Sequence, residues 1–579
     1  MRYPTLPEND LSREMTDTFY GYNHQFKIKD GELYDSGNLT TEYFPMLASR
    51  PKRSTAKTLA RAQGLLSKEA LAYIDNGTLY YNGLPTAVTG LTAEVKQMVS
   101  MGAYIVIFPD KVYYNTEDGT DYGSLDAAYS YTGEVTYQMC ASDGSVYSNI
   151  SSGDVEPENP TSGQVWIDTG TQQAKQWSTA TASWEIMPTV YTRMTFTTQG
   201  QVGSLFKEYD GVTVSGSSFD DINGSKLLYA AGGEAESLDD YIVVVGILQA
   251  SSTQTETISI KREAPAMDYV VECQNRLWGC FYGRSGGKNL NEIYCCALGD
   301  FKNWSQYQGL STDSYAASVG TDGEWTGAVN YMGSPVFFKE NRIHQVSVSP
   351  TGAHQISDIP CRGVQKGSAN SAVVVNETLY YKSRSDFCAW QGGFPVSISE
   401  ALGDERYYEA SAGAFGQRYY VSMRDTANRW HLFCYDLAKK LWMREDSTHA
   451  VQFAAVGDEL YALVGNDIIS LNGTDGTPET DVVWYAETGI MYYEYPDKKY
   501  VSRYNIRLNM EDRAEARLFV EYDSSGVWEL SGTIKRHGTG TVTLPIRPRR
   551  CDHLRVRIEG RGGVKIFSIA RLLEKGSDM

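Results

Sequence analysis

The sequence predicts an all-β protein with a β-propeller-like core, a small inserted Trp-rich β module and a C-terminal antiparallel β-sandwich. Short runs rich in Tyr, Ile, Val and Phe alternate apolar with polar residues and are split by Asn-Gly and Asp-Gly, as in LAYIDNGTLYYNG from Leu71 and AYIVIFPDKVYYNTEDG from Ala103. That is the hairpin pattern. The aromatic positions Phe337, Tyr380, Tyr420 and Tyr461 recur at intervals of 43, 40 and 41 residues, the period of a four-stranded propeller blade. From about Asp481 this rhythm gives way to longer alternating strands. In HLRVRIEG, Leu554, Val556 and Ile558 fall on one face and Arg555 and Arg557 on the other, as in a half-exposed sheet.

Repetition has a physical reason. A single small sheet cannot bury both its faces, whereas a ring of such sheets packs face against face. Tyr80 and Tyr113 add two units before an interruption and Phe281 adds one after it, which makes six or seven blades. Ordinary β-sandwiches joined by hairpins are the competing architecture, because the repeat register is imperfect. The expected organisation is an extended N-terminal arm over 1–63, first blades over 64–128, an inserted module over 129–266, remaining blades over 267–480 and the sandwich over 481–579.

Three segments carry candidate function. The arm is turn-rich and places Tyr43 and Phe44 beside Arg50, Lys52, Arg53, Lys57 and Arg61. It reads as a strap for a neighbouring chain or, more plainly, as a solvated basic loop. The insert carries Trp166, Trp177 and Trp184 within NPTSGQVWIDTGTQQAKQWSTATASWEIM. Tryptophans so close together can stack on sugar rings, but in a module too small for an ordinary core they can be the core itself, and that reading is favoured. Near the C-terminus, Arg547, Arg549, Arg550, Arg555 and Arg557 form a candidate basic docking face, or a solvated strand face.

Composition excludes several classes. With 41% hydrophobic, 12% aromatic and 21% charged residues the 579-residue chain is neither disordered nor collagenous. A net charge of −19 repels nucleic acid and anionic membranes. The first residues lack the pattern of a secretory signal, and the longest apolar run, YIVVVGIL from Tyr241, is too short to span a bilayer; synthesis in the cytosol is expected. Nine cysteines make no disulfide framework, and Cys273, Cys280, Cys295 and Cys296 fit no usual zinc spacing. SGGKN around Gly287 lacks the first Gly and the Ser or Thr of a phosphate loop and reads as a hairpin turn. The seven histidines show no recognisable pairing, the turns NTEDGTDYG and NGTDGTPETD match no EF-hand, and carboxylate pairs for glycoside hydrolysis are not locatable by sequence alone. No catalytic residue, cofactor or metal is assigned.

NLTTEYFPMLASRPKR leading into GLLSKEALAYIDNGTLYYNG, the FPDKVYYNTEDG hairpin, DFCAWQGGFPVSIS and LRVRIEGRGGVKIFSIARLLEKGSDM together resemble structural proteins of tailed bacteriophages and prophages. The likeness is greatest to the propeller-bearing nozzle or tail hub proteins of short-tailed phages, called packaged-DNA stabilisation proteins. The resemblance implies a virion tail protein that is not an enzyme. It implies a homo-oligomeric ring, usually a hexamer, below the portal or its adaptor, contacting other tail proteins and passing DNA without binding it specifically. The Trp-rich segment resembles small modules inserted in phage tail proteins. The alternative function is receptor or glycan binding through that insert, followed by a cell-wall-degrading tail component.

Overall fold

A computed structural model describes residues 11–198, 200–233, 239–349, 353–493 and 498–575. Among them, six sheets of four strands and a seventh of five form a propeller. Within each four-stranded blade the strands pair antiparallel in sequence order, as in blade 4, built from Gly327–Tyr331, Ser334–Lys339, Arg342–Val348 and His354–Pro360. Blade 1 starts with Ala62–Lys68, blade 2 with Gln97–Met101, blade 3 with Tyr269–Glu272, blade 5 with Val373–Val375, blade 6 with Tyr407–Phe415 and blade 7 with Gln452–Val456. Each innermost strand lies against the next blade, directly or, from blade 4 to blade 5, through the turn Ala369–Ser371, and blade 7 lies against blade 1. The ring is therefore closed.

Apolar alternation explains why it closes. Each gap between blades is filled by its own core: Ile74 and Leu79 meet Ile105 and Ile107 between blades 1 and 2, and Trp278 and Ile293 meet Phe337 between blades 3 and 4. Tyr331 and Val336 meet Leu379 and Trp390 between blades 4 and 5. Phe337, Tyr380, Tyr420 and Tyr461 all lie on second strands, so the 40-residue period marks equivalent positions. Cys273, Cys280 and Cys295 join one interblade core and Cys296, its side chain directed oppositely, the adjacent one. SGGKN is the turn between Leu277–Ser285 and Lys288–Cys295.

The outer strand of blade 7 comes from the opposite end of the chain. Ser54–Thr58 pairs with Asp467–Ser470 on one side and Thr477–Pro478 on the other. Gly473 and Gly476, at φ +71° and +91°, let the intervening loop pass close to this strand; a Cβ on either would stand 2.1 Å from the carbonyl oxygen of Lys52 or Thr55. The expected extended arm, a strap for a neighbouring chain or a solvated loop, is corrected accordingly, since its basic residues are engaged within their own chain. Arg53, 5% exposed, ion-pairs with Glu445 and with Asp446 at 2.7 Å. Arg50 pairs with Glu479 and donates to Asn38 Oδ1 at 2.7 Å. Lys57 stands over the rings of Tyr73 and Tyr80, Lys52 donates to the Thr480 carbonyl, Arg61 to that of Ala93, and Lys565 lies 3.5 Å from the centroid of Tyr43. Phe44 is 37% exposed.

The segment before that strand belongs to the sandwich. One sheet runs Leu39–Thr40, Leu47–Ser49, Val564–Lys575, Lys499–Met510 and Gly538–Pro545, with Leu11–Thr16 also on Val564–Lys575. The other runs Gly21–Tyr22, Glu32–Gly37, Val483–Thr488, Leu554–Arg561, Glu515–Tyr522 and Glu529–Ile534. Leu39 and Leu47 share a core with Trp484, Ile506, Leu518 and Ile566. Leu554, Val556 and Ile558 are buried, as their alternation requires.

Between blades 2 and 3 the chain makes a seven-stranded sheet containing Ala127–Cys140 and Ser252–Arg262, and a separate sheet carrying the tryptophans. The insert docks on blade 3 where the Gly211 amide donates to Asn303 Oδ1 and Asn303 Nδ2 donates to the Tyr209 carbonyl.

Two stability measurements test this architecture. Arg53→Ala leaves Glu445 and Asp446 without their buried partner and is expected to cost roughly 3 to 5 kcal/mol, seen as a clear fall in melting temperature. Lys382, 2% exposed and without an ion pair among the described residues, is pushed down to about 8 by burial. The unfolded chain holds that proton up to the ordinary lysine range, so the penalty is complete below about pH 8 and fades as pH rises towards that range. Lys382→Met should therefore stabilise the fold at pH 7, by up to roughly 3 kcal/mol, and the gap between variant and parent melting curves should shrink at pH 9.5.

Candidate functional site

The tryptophan sheet comprises Ile150–Gly153, Val165–Asp168, Gln173–Ser178 and Ser183–Ile186. Neighbours along a strand point to opposite faces, and residues directly opposite across a pair share one. Val165, Ile167 and Ala174 are buried in the core of the seven-stranded sheet with Tyr137, Met194 and Ile242. Trp166 lies between Val165 and Ile167, so it points the other way. It is registered with Lys175, and Trp177 with Trp184. All three tryptophans and Lys175 therefore occupy the face turned away from the insert's core. The favoured expectation that they are the module's core holds for Trp166, which is buried, and is corrected for Trp177 and Trp184, which are half-buried on a face opposite the aliphatic core.

The rings form one cluster. The Trp166 and Trp184 centroids are 5.6 Å apart, and those of Trp177 and Trp184 are 5.5 Å apart in an edge-on arrangement. Trp166 is buried, Trp177 and Trp184 are half-buried, and Ile186 on the same face is exposed. Lys175 Nζ lies 4.7 Å from the Trp166 centroid and 2.9 Å from Asp168 Oδ2. That lysine holds the Asp168 carboxyl well below the usual carboxylate range, with help from Thr171. The indole nitrogens of Trp166 and Trp184 are shielded and find no acceptor among the described residues. Buried indole N–H groups usually find one.

The C-terminal arginines do not make a basic face. Arg555 is paired with Glu487 and, at 3.2 Å, with Glu521; Arg557 stands 3.2 Å from Glu559 and 3.7 Å from Glu487; Arg549 is 2.6 Å from Glu529. The expected docking face is thereby corrected to a largely neutralised surface, with Arg547 and Arg550 exposed beside it.

Several histidine pairings escaped the sequence reading: His553 lies between Ser524 Oγ at 2.7 Å and Asp552 Oδ2 at 2.9 Å, His344 is 2.9 Å from Thr321 Oγ1, and His431 sits in a charged network. His431 Nε2 and Asp425 Oδ2 are 2.9 Å apart, and Arg444 Nε donates to His431 Nδ1 at 3.1 Å. Nδ1 as acceptor makes Nε2–H the donor, and burial pushes the imidazole pKa down. The ring thus stays neutral and orients Arg444, which reaches Asp35 and Tyr485 of the sandwich. The Asp425 and His431 pair straddles one hairpin, RDTANRWH, which was the available signal.

No family model matches the chain, and no curated protein aligns with its sequence. Solved structures do align. An exo-β-1,3-galactanase from Phanerochaete chrysosporium is 10% identical, with 52% of this chain and 94% of that one covered, at a TM-score of 0.22. PorZ, a surface component of the type-IX secretion system of Porphyromonas gingivalis, is 11% identical over 88% and 82% at 0.26. A glycoside hydrolase family 43 arabinoxylan arabinofuranohydrolase from Bacillus subtilis is 8% identical over 52% and 94% at 0.18. The expectation of a tail nozzle without enzymatic activity finds no support among these neighbours, which are glycoside hydrolases and a bacterial surface component. Likeness at this level places no residue and transfers no reaction.

Proposed function

We propose that this protein binds carbohydrate through the outward face of its tryptophan module. The observation that carries this reading is the division of the small sheet, which buries Val165, Ile167 and Ala174 while Trp166, Trp177 and Trp184 lie on its other face. A soluble fold ordinarily turns its largest aromatic side chains inward, and a cluster on an outer face marks a binding surface. The apolar C–H face of a sugar ring lies on an indole plane, and Lys175, Asp168 and Gln173 on the same face of the sheet supply polar groups that fix its orientation.

Trp177 is the residue to change, because its side chain lies opposite the aliphatic core. Covering half an indole is worth about 1.4 kcal/mol, a tenfold change in affinity. Trp177→Ala should lose signal on a glycan array and bind its polysaccharide at least tenfold more weakly in affinity electrophoresis, with an unchanged circular dichroism spectrum. Trp166→Ala should also lower the melting temperature. Identical array profiles for parent and Trp177→Ala would overturn the reading. Assaying the bound polysaccharides for new reducing ends tests whether cleavage accompanies binding.

A further inference from the structure

In the sandwich, strands Glu515–Tyr522 and Leu554–Arg561 pair antiparallel with Tyr522 opposite Leu554. The turn leaving the first strand therefore lies beside the residues entering the second, and the Asp523 amide donates to the His553 carbonyl at 3.1 Å. Asp523 Oδ1 ties the two segments together by accepting from the Asp552 amide at 2.8 Å and the His553 amide at 3.4 Å. Cys551 and Lys499 exchange both backbone hydrogen bonds, at 2.9 and 3.1 Å. The backbone that carries His553 is thus fixed from two directions. In this frame Ser524 Oγ stands 2.7 Å from His553 Nε2, and His553 Nδ1 stands 2.9 Å from Asp552 Oδ2. Ser524 and Asp552 are exposed and His553 is half-buried, so the hydroxyl is open to a molecule arriving from solvent.

An ionised carboxylate only accepts, so Nδ1 carries the proton and donates it to Asp552. The neutral ring keeps a lone pair on Nε2, which accepts from the Ser524 hydroxyl. Hydroxyl, imidazole and carboxylate in that order are the nucleophile, base and orienting group of acyl transfer. His553 in turn holds the Asp552 carboxyl below the usual carboxylate range. Two further features suit Ser524 to this role. Its backbone is left-handed, at φ +50°, a conformation uncommon outside glycine. Its amide meets no acceptor among the described residues, whereas the Ser525 amide is taken by the Tyr522 carbonyl and the Gly526 amide by Glu521 Oε1. A nucleophile's own N–H is one of the donors that receive a tetrahedral oxyanion. Exposure sets the substrate: an open site gives little hold on a long acyl chain and little selection on the alcohol.

We propose that Ser524, His553 and Asp552 form a site that hydrolyses carboxylic esters of short acyl chains, independently of the tryptophan surface. Ser524 Oγ bonds to the ester carbonyl carbon as its proton passes to His553 Nε2, and the carbonyl electron pair moves onto oxygen beside the Ser524 amide. When that pair returns, the bond to the alcohol oxygen breaks and Nε2 hands the proton to the departing alcohol. Water, giving a proton to Nε2, then attacks the acyl-serine; collapse releases the acid and restores the hydroxyl. Asp552 is a positioning residue that fixes the ring tautomer. The full chain should turn over p-nitrophenyl acetate repeatedly, and a fluorophosphonate should label Ser524, read by peptide mass spectrometry. Ser524→Gly suits the left-handed backbone, and it and His553→Gln should each lose roughly a hundredfold in kcat/KM, the low end of what a positioned base contributes. Asp552→Asn should lower kcat and leave KM unchanged. Should His553→Gln melt early, Ser524→Gly decides. Release that stops after one acylation per chain, turnover unaltered in Ser524→Gly, or labelling of another residue in place of Ser524 overturns the proposal.

Discussion

The structure depends on one pairing between distant parts of the chain, Ser54–Thr58 against Asp467–Ser470. Until it forms, blade 7 lacks its outer strand and blade 1 is not tied to the far end of the ring. The loop joining these segments spans more than 400 residues, and its closure entropy grows only slowly with length. What offsets that cost is concentrated at the seam. Buried Arg53 meets two carboxylates from blade 6, while Leu65 and Tyr73 of blade 1 pack on Ala454 and Ile468 of blade 7. The sandwich reinforces this closure. Its strands come from both sides of the propeller in sequence, so the segments entering and leaving the ring are held in one core by Leu39, Leu47, Ile506 and Ile566.

How much of this was legible in the sequence depends on whether the signal was local. The interblade cores are written in alternation, and Phe337, Tyr380, Tyr420 and Tyr461 report equivalent strands because each blade repeats the same burial problem. Tyr80 and Tyr113 lie on third strands instead, which explains the imperfect register in the first two blades. The closing strand, STAKT, was illegible: an outer strand buries little, carries no apolar alternation and looks like a basic loop. Arg50 and Arg53 acquire their meaning from Glu445, Asp446 and Glu479, nearly 400 residues or more away. A shorter separation, 68 residues from Glu487 to Arg555, hid the neutralisation of Arg555 and Arg557 in the same way.

The tryptophan sheet shows a different kind of illegibility. Val165, Trp166 and Ile167 are all apolar, so period-two alternation cannot say which face meets the rest of the insert. Size alone suggested that the tryptophans should fill the core. The larger sheet beside the module reverses this, because it supplies a ready apolar surface that accepts Val165, Ile167 and Ala174 into a shared core. A module that borrows its core from a neighbour is free to leave its bulkiest side chains on the other side. The constraint on the half-buried Trp177 and Trp184 is then not folding alone, and this is why their chemistry bears on function.

Lysine placement follows a related logic across the ring. Lys339 and Lys382 both end the second strand of their blades, in adjacent units, and neither has an ion pair among the described residues. Lys382 donates to the carbonyl of Ser383 within its own turn. Lys339 instead borders a cleft and faces aromatic rings. Equivalent positions in a repeat thus carry the same residue type under different demands. At Lys382 the local backbone meets the charge, with a depressed pKa as the residual cost. At Lys339 the Thr321 carbonyl, Asn291 Oδ1 and the rings of Tyr282 and Trp325 meet the charge across the boundary with the preceding blade. Two neighbouring blades thus solve one burial problem differently, the one within its own turn and the other with groups borrowed from the adjoining sheet.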